Sequence, residues 1–230
     1  MKTKINTLAL FAGSIALWLL ASAPLPAAEQ MTRFDARSGS KMRLEGTSLV
    51  HDWQAQSTLI MGFLEVGPNF PTEPGQVVSP GKVEARSEAS VKVKSLRSIE
   101  KNGSPYDDKM DAKMYSMLQE TNYPTIVFRL SELVLKEAPK DKDAPYVFEA
   151  KGDLAVAGVT NKISLPVNIV PLGETKGETR LKITGAKDVK MSDFKIEPAK
   201  IVVVKTSDDV KIKFEWIVGH KKPATADASK

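Results

Sequence analysis

The sequence predicts an all-β protein of eight antiparallel strands with one internal helix, and three observations predict it. Apolar and polar residues alternate with period two in eight separate segments, the pattern of strands that bury one face. A single Met-rich segment switches to helical spacing. No repeat or domain-scale linker divides the chain. Two sheet solutions satisfy these facts, a sandwich and a closed barrel. Eight strands with a charged outward face fit the barrel better, because that number encloses just enough room for side chains or one slender ligand.

Met42, Leu44 and Gly46 alternate with Lys41, Arg43 and Glu45 in the first strand. In the second, Trp53, Ala55, Ser57, Leu59, Met61 and Phe63 share a face, with Ile60 as the exception on the polar side. Gly67 to Gly81 carries four prolines and reads as a loop able to bridge strands or drape over an opening. The third strand is the clearest: Val83, Ala85, Ser87, Ala89, Val91, Val93 and Ser95 oppose a nearly all-charged face.

Asn102-Gly103-Ser104-Pro105 forms a turn, and Asp107 caps a helix whose Met110, Met114, Met117 and Leu118 fall on one stripe. Pro124 ends it. Ile126, Phe128 and Leu130 begin the fourth strand, and Phe148, Ala150, Gly152, Leu154 and Val156 line the fifth. A hairpin turn at Gly158-Val159-Thr160-Asn161 leads to Ile163, Leu165, Val167 and Ile169, with Pro166 on the other face marking an irregular or edge position. Leu181 and Ile183 mark the seventh strand, residues 185–207 show no clear period, and Val210, Ile212, Phe214, Trp216 and Val218 mark the eighth.

The amino terminus has the order of a secretory signal peptide over residues 1–28: Lys2 and Lys4, an apolar run from Leu8 to Leu20, then small residues and prolines, with cleavage expected near Ala27 or Ala28. The run is short for a membrane span of about 20 residues. Residues 29–40 read as a flexible lead-in, 41–219 as the barrel domain, and 220–230 as a disordered tail. The formal charge is +5; loss of Lys2 and Lys4 leaves 31 cationic against 28 anionic side chains, or +3. So mild and interleaved a balance lacks the basic face of a nucleic-acid binder. The absence of cysteine excludes a disulfide scaffold and a thiolate nucleophile.

Catalytic constellations are weak. His51 and Asp52 are adjacent on a strand and point to opposite faces, so they do not form a dyad. Asp107-Asp108 and Asp208-Asp209 read as caps and solvated turns, and no metal or cofactor is expected. A cavity has better support. Ala85, Ser87 and Ala89 leave room that bulky residues would fill, and the Met stripe is adaptable enough to border an apolar ligand or simply to pack on the barrel end. The aromatic residues Trp53, Phe128, Phe148, Phe214 and Trp216 serve equally as core or as pocket wall.

Four ordered stretches carry a family resemblance. They are Gly46 to Trp53, Val91 to Leu96, Asp111-Ala112-Lys113-Met114 leading to Asn122-Tyr123-Pro124-Thr125-Ile126-Val127-Phe128, and Gly152 to Thr160. Together they resemble the YceI-like family of exported bacterial proteins. The resemblance implies a lipocalin-like eight-stranded antiparallel barrel with a helix between the third and fourth strands, in a periplasmic or secreted protein. It implies a noncatalytic function, with a long-chain isoprenoid, a quinone-type molecule or another amphipathic lipid held inside. Many members carry Arg-Asp before the helix; here the pair is Tyr106-Asp107, which removes a cationic headgroup contact at that place. Candidate pocket residues are Trp53, Ala85, Ser87, Ala89, Met110, Met114, Met117, Phe128, Phe148, Leu154, Leu165, Phe214 and Trp216. The expected partner is a lipid, with no nucleic acid and no membrane span after cleavage, and the oligomeric state, monomer or homodimer, is open. The alternative is a structural or adhesive envelope protein whose barrel is filled by its own side chains.

Overall fold

A computed structural model describes residues 30–49, 52–198, 200–201 and 204–221. The expected signal peptide, His51 and the part of the expected tail beyond Lys221 lie outside the described residues.

The strands form a closed, antiparallel circuit of eight staves. β1 (Thr32–Ala36) and β2 (Lys41–Ser48) make the first stave, and β3 (Trp53–Ser57) and β4 (Met61–Val66) the second. The third is broken into β5 (Gly81–Val83), β6 (Ala85–Lys92) and β7 (Arg97–Ile99), with a 3-10 turn at Val93–Ser95. α1 (Asp108–Met117) follows. The remaining staves are β8 (Thr125–Glu137), β9 (Tyr146–Val156), β10 (Val159–Thr175), β11 (Glu178–Lys190) and, after the two-residue β12 (Lys200–Ile201), β13 (Val204–Lys221). β13 returns to pair with both β1 and β2, which closes the barrel. The helix therefore lies between the third and fourth staves, as the resemblance implies.

Four sequence expectations change. First, the lead-in is not loose: β1 pairs with β4 and β13, and Phe34 turns inward to 1% exposure. The chain bends between β1 and β2, where the Ser40 hydroxyl donates to the Arg37 carbonyl at 2.9 Å and accepts from the Ile217 amide at 3.0 Å. Second, β13 runs on through His220 and Lys221, opposite Thr179 and Glu178, so the barrel takes the first two residues assigned to the tail.

Third, the second stave changes phase at Thr58–Ile60. Ser57 is buried and its hydroxyl meets the Ser95 hydroxyl at 2.8 Å and the Leu59 amide at 3.1 Å, bending the chain. Beyond the bend Ile60, Leu64 and Val66 are buried, while Leu59 and Met61 are exposed and Phe63 carries the Arg33 guanidinium 4.0 Å above its ring. Ile60, the exception in the alternation, marked the switch. Fourth, the β9–β10 turn is Ala157-Gly158, both at positive φ, so Val159 and Thr160 already belong to β10. The Tyr123 ring rests on Gly158, where a Cβ would lie 2.4 Å from it, so the Tyr-Pro-Thr and Gly-Val-Thr stretches touch.

Pro166 meets its expectation. It pairs with Glu149 on the β9 side, and on the other side β10 engages β11 only from Val167 onward. A residue without an N–H thus sits where the wall opens. The unread segment resolves into the upper part of β11, a 3-10 turn at Ser192–Phe194 and the β12–β13 hairpin. Met191, Phe194 and Ile196 are buried there, and Asn161 donates to the Asp193 carbonyl at 2.7 Å, tying the turn to β10.

Candidate functional site

Inside the barrel the apolar residues divide into a floor and a hollow. The floor is solid: Phe34, Val66, Leu135, Tyr146, Phe148, Leu181 and Val218 are at most 1% exposed. The Pro-rich loop seals it from below. Phe70 stacks on Phe148 with centroids 5.6 Å apart and planes at 15°, and the Tyr146 hydroxyl donates to the Gln76 carbonyl at 2.6 Å. Above the floor lies a cavity of about 1020 Å³. Its walls are largely aliphatic and aromatic, from Met42, Leu44, Ile163, Leu165, Ile183 and Ile212 among others.

Three glycines help keep the hollow open. A Cβ on Gly46 would lie 2.3 Å from the Trp53 ring, one on Gly185 2.7 Å from the Phe214 ring, and one on Gly152 2.2 Å from the Arg129 carbonyl oxygen and 2.6 Å from the Phe128 ring. Gly46–Trp53 and Gly185–Phe214 are direct cross-strand partners. Each ring therefore lies over a glycine on the neighbouring strand, a close approach that any side chain there would prevent. The indole nitrogens of Trp53 and Trp216 are buried with no partner among the described residues.

The mouth is bordered by α1, by residues 98–106 and by the start of the second stave. Asp107 caps α1, its carboxylate accepting from the Lys109 amide at 2.8 Å. The sequence reading passes over Asp111, yet this residue fixes the helix. It is 4% exposed, accepts from the Ser98 amide at 2.6 Å and pairs with Arg97 at 3.0 Å. Burial opposes its ionisation, but the hydrogen bonds from Ser98 and Arg97 prevail and hold the carboxyl below its ordinary range. The Tyr115 hydroxyl adds a bond to the Leu96 carbonyl at 2.7 Å.

Of the thirteen candidate residues, eleven line the cavity. Trp53, Ser87, Ala89, Phe128, Leu154, Leu165, Phe214 and Trp216 contribute from strands, and Met110, Met114 and Met117 from α1. Ala85 and Phe148 do not line it. Ala85 pairs with Val66 at floor level, and Phe148 is the floor itself. Ser87 spends its hydroxyl on the Phe63 carbonyl at 2.9 Å. Sequence reading missed Ile183, Ile212 and the three glycines as wall elements; a glycine at an inward strand position facing an aromatic residue is the signal that finds them.

Asp52 borders the mouth. Asp208 accepts from the Ser192 amide and hydroxyl, which hold its carboxyl below the ordinary range, and Asp209 lies 3.9 Å from Lys190. Among the described residues no group of three or more metal-ligating side chains comes together, and no helix is long and apolar enough to cross a membrane.

An eight-stranded barrel closed at one end, hollow above and capped by a short helix defines a lipocalin-like architecture. Residues 40–217 match the YceI-like domain, and the chain belongs to that family. Solved structures of the same fold are similar at low identity. A polyisoprenoid binding domain from Saccharophagus degradans, implicated in plant cell wall breakdown, has a TM-score of 0.57 at 12% identity, over 83% of this chain and 99% of that one. Burkholderia cenocepacia BcnA has 0.54 at 15%, over 77% and 95%. A Campylobacter jejuni YceI protein has 0.50 at 17%, over 73% and 85%. No curated protein matches the chain.

Proposed function

We propose that this chain is an exported, noncatalytic carrier or sequestering protein that holds one long-chain isoprenoid, quinone-type molecule or other amphipathic lipid in the barrel. The observation that carries the reading is the hollow of about 1020 Å³ between a sealed floor and a helix-bordered mouth. Its size is at the upper end of ligand pockets, which run from about 300 to 1,000 Å³. A barrel filled by its own side chains would not leave it. An apolar chain in such a lumen gains about 0.8 kcal/mol for each methylene removed from water. The similarity to a polyisoprenoid binding domain supports the same reading, and residues 1–28 support export.

Two tryptophans report on the lumen, because from residue 30 onward the chain's only tryptophans are Trp53 and Trp216 and both line the cavity. Addition of farnesol or ubiquinone to solvent-extracted protein is expected to change their emission saturably at one chain per protein. Ala89→Phe, opposite Phe128 on the wall, is expected to fold and to lose that response. A folded wild-type protein whose emission ignores every chain tested would refute the carrier in favour of a structural envelope protein.

A further inference from the structure

Four lysines border the cavity: Lys101, Lys113, Lys187 and Lys190. They are not alike. Lys101 and Lys113 are exposed on a turn and on α1, and Lys190, at the end of β11, faces Asp209 at 3.9 Å. Lys187 is different because β11 alternates Leu181, Ile183, Gly185, Lys187 and Val189 onto the inner side of the barrel. It is half-buried, opposite Ile212, which in turn pairs with Leu44, and both of these are cavity-lining.

Its outward neighbours are matched: Asp188 faces Lys211 at 3.8 Å. Lys187 has no ion-pair or hydrogen-bond partner among the described residues. Nor does a neighbouring strand cover it on the other side, since β10 leaves β11 above Val167 and Gly185. An ammonium set among apolar side chains loses hydration, a cost offset only by an opposing charge or by snorkelling of the head to water. A wall built only to hold hydrocarbon has no use for one.

We infer that Lys187 recognises the headgroup of the ligand, so that the lumen takes amphiphiles whose apolar chain ends in an anionic oxygen group, a carboxylate or a phosphate, accepting from the Lys187 ammonium. The inference rests on the carrier reading above and narrows its ligand class. The geometry suits an end-on pose. From Lys187 the inner face of β11 descends past Gly185 and Ile183 to Leu181, a path of roughly 20 Å at strand rise. The Phe214 and Trp216 rings flank that path from β13.

The test titrates solvent-extracted protein with two matched pairs, palmitate against hexadecanol and farnesyl phosphate against farnesol, at low salt, for wild type, Lys187→Gln, Lys187→Arg and the rim control Lys113→Gln. Wild type is expected to prefer at least one anion over its alcohol by about tenfold, the effect of one charge-assisted hydrogen bond. Lys187→Gln should lose that preference with alcohol binding unchanged, while Lys187→Arg and Lys113→Gln keep it; the pair that shows it names the headgroup. Equal affinity for anion and alcohol in wild type, or a preference that survives Lys187→Gln, would overturn the inference and leave the carrier standing. Failure of wild type to bind any of the four chains, with ubiquinone also refused, would overturn both.

Discussion

Gly46 illustrates what single residues decide in this barrel. Its missing side chain lets the Trp53 indole lie against β2, and the three atoms nearest to where a Cβ would be are ring atoms of Trp53, at 2.3, 2.4 and 2.7 Å. Gly46→Ala should therefore swing the indole into the lumen rather than break the sheet. The expected result is a changed tryptophan emission, weaker chain uptake and a stability loss of about 1–3 kcal/mol by urea denaturation, the usual cost of overpacking. Phe34 makes the opposite point at the floor: Phe34→Ala should cost about 3–5 kcal/mol, as a buried ring lost from a closed layer does. The alternation shows which face a residue occupies but not its height along the barrel axis. That is why Ala85 and Phe148, inward-facing as the sequence says, prove to be floor rather than wall, and why Phe34 in its polar surroundings gave no sign of a strand.

At the scale of elements, α1 is held to the rim by charge and hydrogen bonds as much as by its Met stripe. Asp111→Ala would leave the part-buried Ser98 amide without its acceptor, a loss of about 1–3 kcal/mol for an unsatisfied buried donor, and would release the solvent-exposed Arg97 guanidinium. Faster amide exchange across residues 108–118, with the strands unaffected, is the expected readout. The same contact gives a pH dependence of known sign. The Asp111 carboxyl is held below its ordinary range, so its contribution is complete above the unfolded value of about 3.9 and is lost as pH falls through the lower folded value. The helix should loosen only in strong acid, and protection lost near neutral pH would contradict this. The helix cap at Asp107 was legible because local chemistry sets it; the end was not, since α1 stops at Met117 and the chain turns at Gln119 with positive φ, before Pro124 is reached. Asp111 was not, because its partners come from the third stave and nothing in the helix sequence announces them. Residues 185–207 were obscure for a related reason: Gly185, Ala186 and Lys187 present too little apolar contrast to show a period, although Gly185 and Lys187 continue the inward face.

At the scale of the molecule, the barrel places a solid floor, a hollow and a bordered mouth along one axis, and the charged outer face plays no part in the lumen. Outer pairs such as Arg129–Glu88 at 2.9 Å and Lys151–Glu132 at 2.8 Å are solvent-exposed, and water and salt screen pairs of that kind to a small contribution. Moderate salt should therefore leave the melting temperature nearly unchanged. The fold was legible in eight alternating segments and four recognisable stretches; the hollow was signalled only by small residues such as Ser87 and Ala89, because a core face and a pocket face have the same period. The central claim is that the hollow holds an apolar chain. Native mass spectrometry of the protein purified from a bacterial envelope, before and after organic extraction, tests it most directly. One adduct of several hundred daltons per protein is expected, removed by extraction and restored by a supplied lipid. A protein that arrives at its bare sequence mass, and stays there when lipid is supplied, would contradict it.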